Sequence, residues 1–232
     1  MAPQSFTPAD PRALDDLQLF LARAARIEEG SVRLISAGGV LAVYVSALFP
    51  AGLGDPMPTV LGLRALRIDE SEAFDVVVPI ASLRGRVDRA GGGRTDAHPV
   101  VSVDMPPQSP SVVWAAITPP QGGWQAHGPV SADVLERAAR EGIAEVAAAV
   151  PHASGESIVR RVRAEVWGRP ITGAEFLPAG AAFAALGFGF LGPGQAGSPS
   201  PRIDSFETPS WTRLSSARGH ILIKRRAWTL AR

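Results

Sequence analysis

The sequence predicts an α+β fold, an antiparallel sheet built from hairpins with helices packed against it, and three observations carry that prediction. Apolar residues recur at helical spacing in three long segments. Short β-branched runs flank glycine-rich turns, so neighbouring runs pair as hairpins. No segment repeats at a fixed period, which argues against a solenoid or propeller. A proline-rich break at Met105–Pro110 divides the chain into an N-terminal helix plus β-meander over 1–105 and a mostly helical part over 106–232 that ends in a hairpin.

Asp10 followed by Pro11 reads as an N-cap and first helical residue. Leu14, Leu17, Phe20, Leu21 and Ala24 then keep one apolar face until a stop at Gly30. Val32–Ile35 and Val40–Val45 flank Gly38-Gly39, a pair free to take the positive φ angles of a tight hairpin. Strands are expected at Thr59–Ile68 and Phe74–Val78. A helix from Pro79 to Arg89 follows, because proline sits poorly inside a sheet. Residues 90–99 read as a polar, glycine-rich loop before a short strand at 100–104.

Ser109-Pro110 is expected to open a helix through Ile117, and a short strand is expected at Trp124–Ala126. Ser131 then caps a helix whose stripe of Leu135, Ala138, Ile143, Val146 and Val150 ends at Pro151. Ser154 caps another that runs to Trp167, with Ile158, Val162 and Val166 spaced by four and the pairs Glu156–Arg160 and Arg161–Glu165 on its surface. An apolar helix at 179–189, an exposed loop at Gly192–Pro209 and a hairpin of Trp211–Ser215 with His220–Arg226 complete the chain.

The 232 residues, 46% of them hydrophobic, suffice for a sizeable core. A formal charge of +1 argues against nucleic acid or an acidic membrane as an obligate partner of the whole chain. The absence of cysteine removes disulfides, thiol nucleophiles and thiolate zinc sites. The start of the chain lacks a basic stretch followed by an apolar run. The most apolar segment, Leu177–Pro193, is broken by Pro178 and glycines and falls short of the ~20 residues of a membrane span. The expectation is a cytoplasmic protein with no membrane partner. Lys224 is the one lysine beside 22 arginines, and asparagine is absent, a pattern of GC-rich coding that weakens arginine content as a sign of phosphate binding.

Several groupings bear on chemistry. Gly187-Phe-Gly-Phe-Leu-Gly192 carries the letters of the dinucleotide fingerprint, but an apolar helix precedes it and Pro193 follows, so it reads as a helix end. Arg94, Asp96 and His98 beside Gly91–Gly93 form the local cluster best suited to a small anion, through glycine amides and a guanidinium fork. The plainer reading is a solvated loop without phosphate-loop spacing. His98, His127, His152 and His220 stand far apart with no H-x-H or H-E-x-x-H pair, so neither metal nor cofactor is expected. Trp114, Trp124 and Trp167 are expected to close helix–sheet contacts, Gly122-Gly123 allowing the turn that inserts Trp124.

Charge asymmetry is the most informative functional feature. Residues 208–232 hold Arg213, Arg218, Lys224, Arg225, Arg226 and Arg232 and no acid. These six cations within a whole-chain charge of +1 leave the other 207 residues at −5. With Trp211 and Trp228 this hairpin suits nucleic acid or an acidic partner. The plainer reading is an edge hairpin whose positive charge blocks sheet-to-sheet pairing and balances the acidic remainder.

Across Leu21–Val45, Gly122-Gly-Trp124, Val166-Trp-Gly-Arg-Pro170 and Trp211–Ile223 the chain resembles uncharacterised proteins of high-GC actinobacteria. The resemblance spans most of the chain and implies a bacterial cytosolic setting. No activity, cofactor or site residue follows from it. The function expected from the sequence is a non-catalytic binding or adaptor protein. The alternatives are an enzyme acting on a small anionic substrate through Arg94, Asp96 and His98, and a structural subunit that meets another copy of itself.

Overall fold

The computed structural model describes residues 4–52, 54–69, 73–92, 101–109, 112–150, 155–192 and 201–225. It shows an α+β protein of antiparallel strands with five α-helices among the described residues. The chain forms two compact units, one of residues 1–46 and 63–118, the other of 47–62 and 119–232.

In the first unit, strand β1 (Ser5–Phe6) leads to helix α1 (Arg12–Ile27), and Asp10 opens the helix by accepting the Arg12 N–H at 2.9 Å. Leu14, Leu17, Phe20, Leu21 and Ala24 are all buried along the expected face. The helix matches the span expected near 11–28, but its stop differs. Glu28 is already extended at φ −152°, and Gly30 is not in the left-handed region, so the stop is no glycine cap. Strands β2 (Ser31–Ala37) and β3 (Val40–Leu48) pair from Val32↔Val45 to Ala37↔Val40 around Gly38 and Gly39, at φ 57° and 74°. These angles match the hairpin turn anticipated for a Gly-Gly pair.

Strands β4 (Val60–Arg67) and β5 (Phe74–Pro79) complete the strand order β5-β2-β3-β4. Pro79 closes β5, and helix α2 (Ile80–Gly92) buries Ile80, Leu83, Val87 and Ala90. The helix therefore extends into the stretch read as loop, and only residues 93–99 of that stretch lie outside the described residues. Strand β6 (Val103–Asp104) pairs with β1, and α1 packs on α2.

The helix expected at 109–117 is replaced by a single 3-10 turn at Val113–Ala116. The Ala115 carbonyl accepts instead from the Arg33 guanidinium at 2.8 Å, an acceptor a longer helix would need for itself.

The second unit holds β7 (Gln125–Ser131), α3 (Ala132–Ala149), α4 (Glu156–Gly168), β8 (Pro170–Ile171), β9 (Ala174–Pro178), α5 (Ala179–Gly187), β10 (Arg202–Glu207), β11 (Trp211–Ser216) and β12 (Gly219–Lys224). Its strands run in the order β12-β11-β10-β7, and β8 with β9 forms a separate small hairpin. Strand β10 occupies the segment read as loop, its alternation burying Ile203 and Ser205. Ser131 caps α3 as expected, accepting the Asp133 N–H at 3.3 Å. Gly155 is the N-cap of α4, while Ser154 lies outside the described residues. On α4, Arg160 reaches Asp55 at 3.5 Å and Glu165 pairs with Arg169 at 2.8 Å, so neither expected surface pair forms.

The core of this unit is sealed by close approach. Trp167 is buried, and a Cβ placed on Gly142 of α3 would overlap its ring. Only part of the expected stripe on α3 is inside: Leu135 is buried with Ala132, Ala139 and Gly142, whereas Ile143 is exposed. On α4, Ile158 is likewise exposed and Ala164, Val166 and Trp167 are buried. Gly187 ends α5, and Gly189 and Gly192 both take positive φ, which confirms the fingerprint letters as a helix end. No helix among the described residues is long and apolar enough to cross a membrane.

Candidate functional site

The terminal hairpin is an interior pair of strands. Strand β11 lies between β12 and β10, and the N–H of Lys224, the last residue of β12, donates to the Thr59 carbonyl at 3.0 Å. Edge protection therefore does not account for its charge. The outermost strand in the order β12-β11-β10-β7 is β7, which carries Pro129 and a bulge, two devices that discourage a further strand.

One face of this sheet carries Leu214, Ile221 and Ile223, buried. On the other, the register sets Ala126, Phe206, Arg213 and Leu222 in a row. The Arg213 guanidinium lies 4.6 Å from the Trp124 ring centroid and 4.5 Å from that of Phe206. Cation–π attraction holds it there. Gly123 at φ 78° makes the turn that brings Trp124 onto the sheet, and the indole N–H, donating to the Pro120 carbonyl at 3.1 Å, fixes the ring. Trp124 is thus half-buried over an arginine, whereas Trp114 and Trp167 are core residues as expected.

No carboxylate meets Arg213 among the described residues, and its Nε is buried without a hydrogen-bond partner. Burial pulls its pKa below the ordinary arginine value.

The neighbouring groups are paired. Glu207 accepts from Arg225 at 3.1 Å and faces His127 Nδ1 at 3.5 Å. His127 is the extra residue of the bulge opposite Ser205 and Phe206, which turns its ring against Phe176 at 4.2 Å between centroids. One row along from Arg213, His220 Nδ1 and Ser215 Oγ are 2.9 Å apart. Arg218 sits in the β11–β12 turn, its N–H bonded to Ser216 Oγ at 3.1 Å, and Lys224 is exposed at the far end of β12. Of the basic residues singled out by sequence that are described, Arg213 alone is held by aromatic rings; Arg226 lies outside the described residues. Arg94, Asp96 and His98 also lie outside them, as do His98's fellow histidine His152 and the second hairpin tryptophan, Trp228.

A second polar feature is a groove of about 340 Å³ lined in part by Arg137, Glu141, Glu145, Arg169 and Thr172. Arg169 donates to Glu145 at 2.6 Å and to Glu165 at 2.8 Å, and these two hydrogen bonds raise its pKa. Its donors are engaged within the unit. Arg213 has no such partner, and its aromatic neighbours were invisible as a group in the sequence because they come from positions 124 and 206.

The α+β fold is similar to that of DNA polymerase sliding clamps of solved structure. The chain is similar to the solved structure described as Caulobacter crescentus pol III beta, at 12% identity and a TM-score of 0.50, with 95% of this chain and 64% of that one covered. The DNA polymerase sliding clamp from Caulobacter crescentus matches at 12% identity and a TM-score of 0.49 over 95% of this chain and 65% of that one. A DnaN sliding clamp from Bartonella birtlesii bound to griselimycin matches at 12% identity and a TM-score of 0.49 over 98% and 66%. The chain thus spans 64–66% of the length of these clamps. More particularly, residues 1–107 match the family model of a domain of unknown function, DUF8010, and residues 119–228 that of another, DUF8185. No curated protein matches the chain.

Proposed function

We propose that this is a non-catalytic binding protein of the bacterial, actinobacterial cytosol that engages an anionic partner through the Arg213 face of its second unit. The observation that carries the reading is the Arg213 guanidinium, held between two rings with a buried Nε and no carboxylate partner among the described residues. Nε is shut off from solvent, so an incoming anion meets the two terminal NH2 groups, to which the described residues supply no acceptor. The kinship in fold with DNA polymerase sliding clamps agrees with a role in binding more than in chemistry, although fold alone assigns neither DNA nor a protein as partner.

The test is fluorescence anisotropy with a labelled acidic peptide and a labelled oligonucleotide, each titrated with the wild-type chain and with Arg213→Ala. At least one probe should bind and lose affinity in the variant, the melting temperature holding within a few degrees. If neither binds, or if the variant binds as well as the wild type, the reading fails. Self-association that disappears in Arg213→Ala, followed by sedimentation velocity, would identify the anionic partner as a second copy.

A further inference from the structure

Resting on the reading that this face takes an anion, we infer that Arg213 receives a carboxylate from a partner polypeptide, edge-on, in the slot between Trp124 and Phe206. The geometry limits how anything can approach. The Trp124 and Phe206 rings lie against the guanidinium at 4.6 and 4.5 Å and its Nε is buried, so the edge formed by the two terminal NH2 groups is what a ligand can reach. A carboxylate presents two coplanar oxygens at the spacing of that fork, and the pair is stronger and more directional than one made by a point charge.

The surroundings favour a carboxylate on a carbon stem over a phosphate chain. In the row that contains Arg213, Ala126 is exposed and Phe206 half-buried, surfaces that suit the methylenes of an aspartate or glutamate, while Leu222 is buried. Asp204 stands in the next row, registered with Ser215, and places a negative charge where a polyanion would continue. Arg225 is already neutralised by Glu207 at 3.1 Å. A nucleic-acid strand needs several unpaired cations in line with successive phosphates and open ring faces for its bases. Here each of the two rings is already engaged by an arginine.

The experiment uses the full chain labelled with nitrogen-15 and follows the Arg213 Nε–H resonance while hexaglutamate or an oligothymidylate is added. Hexaglutamate should move that resonance and bind at least about tenfold more weakly to Arg213→Lys and Arg213→Gln, the loss expected when a charge-assisted fork is removed. A lysine variant that binds as tightly as wild type would show that charge alone suffices and would overturn the inference. An oligothymidylate that moves the resonance while hexaglutamate does not would also overturn it, yet leave the face standing as a binding surface. Inertness of both probes would remove both. If Arg213→Gln is poorly folded, the wild-type resonance decides by itself.

Discussion

Arg33 in the first unit and Arg213 in the second are arginines on interior strands of an antiparallel sheet, and their surroundings are opposite. Arg33 is 13% exposed and donates to both carboxylate oxygens of Asp75 at 2.8 and 2.6 Å, to the Ala115 carbonyl at 2.8 Å and to Thr118 at 3.0 Å. The Asp75 hydrogen bonds raise its pKa against the lowering effect of burial. Arg213 is held by ring faces, keeps its Nε unmatched, and burial lowers its pKa. The difference teaches that one side chain serves as a rivet when its donors are filled from within, and that when they are not it keeps donors to offer, which is the ground of the binding role proposed for Arg213.

The largest expected effect tests the rivet. Arg33→Ala unlinks β2, β5 and the 3-10 turn and strands a carbonyl and a carboxylate, a loss of about 3 kcal/mol by urea unfolding. Arg213→Ala forfeits cation–π contact while removing an unsatisfied donor, so its cost should stay below about 1 kcal/mol. Equal losses would break the comparison. Next in size, Asp75→Asn keeps the shape but not the charge, and about 1.5 kcal/mol should be lost, less than for Arg33→Ala because Asp75 is 49% exposed and solvent screens part of the pair.

The smallest effect is read by pH. Tyr44 is the one tyrosine of the chain. Its pKa is raised first by burial, with Arg33 pulling it down and Asp75 pushing it up. An acid whose folded pKa exceeds its unfolded value favours the neutral form in the fold. The resulting stability is complete below the ordinary pKa of about 10 and is lost as pH climbs above it toward the folded value. Tyrosinate absorbance should show Asp75→Asn bringing the transition down and Arg33→Ala taking it up. Movement in Arg213→Ala would contradict the separation of the two arginines.

Legibility in the sequence followed the range of the interactions. Helix α1 and the β2–β3 hairpin were readable because spacing, an aspartate cap and a Gly-Gly turn act within a few residues. Strand β10 was hidden because Arg202–Glu207 follows a stretch of glycine, proline and serine, although its alternation is regular. The 3-10 turn was misread as a helix because its carbonyl is claimed by an arginine 82 residues away. For the same reason the basic hairpin was visible as charge, while the slot around Arg213 depends on strand register that brings residues 124, 206 and 213 together.

Helix α5 is nine residues of Ala-Gly-Ala-Ala-Phe-Ala-Ala-Leu-Gly without a charge, and five of them are buried. Its Phe183 ring stacks on Trp167 at 4.5 Å, and at Gly180 a side chain would press on Leu48 and on the Trp167 carbonyl. Backbone held that closely meets solvent only when its surroundings come apart together. The slowest amide protons to exchange with deuterium should therefore be those of α5, and their rate would serve as an internal clock for opening of the second unit.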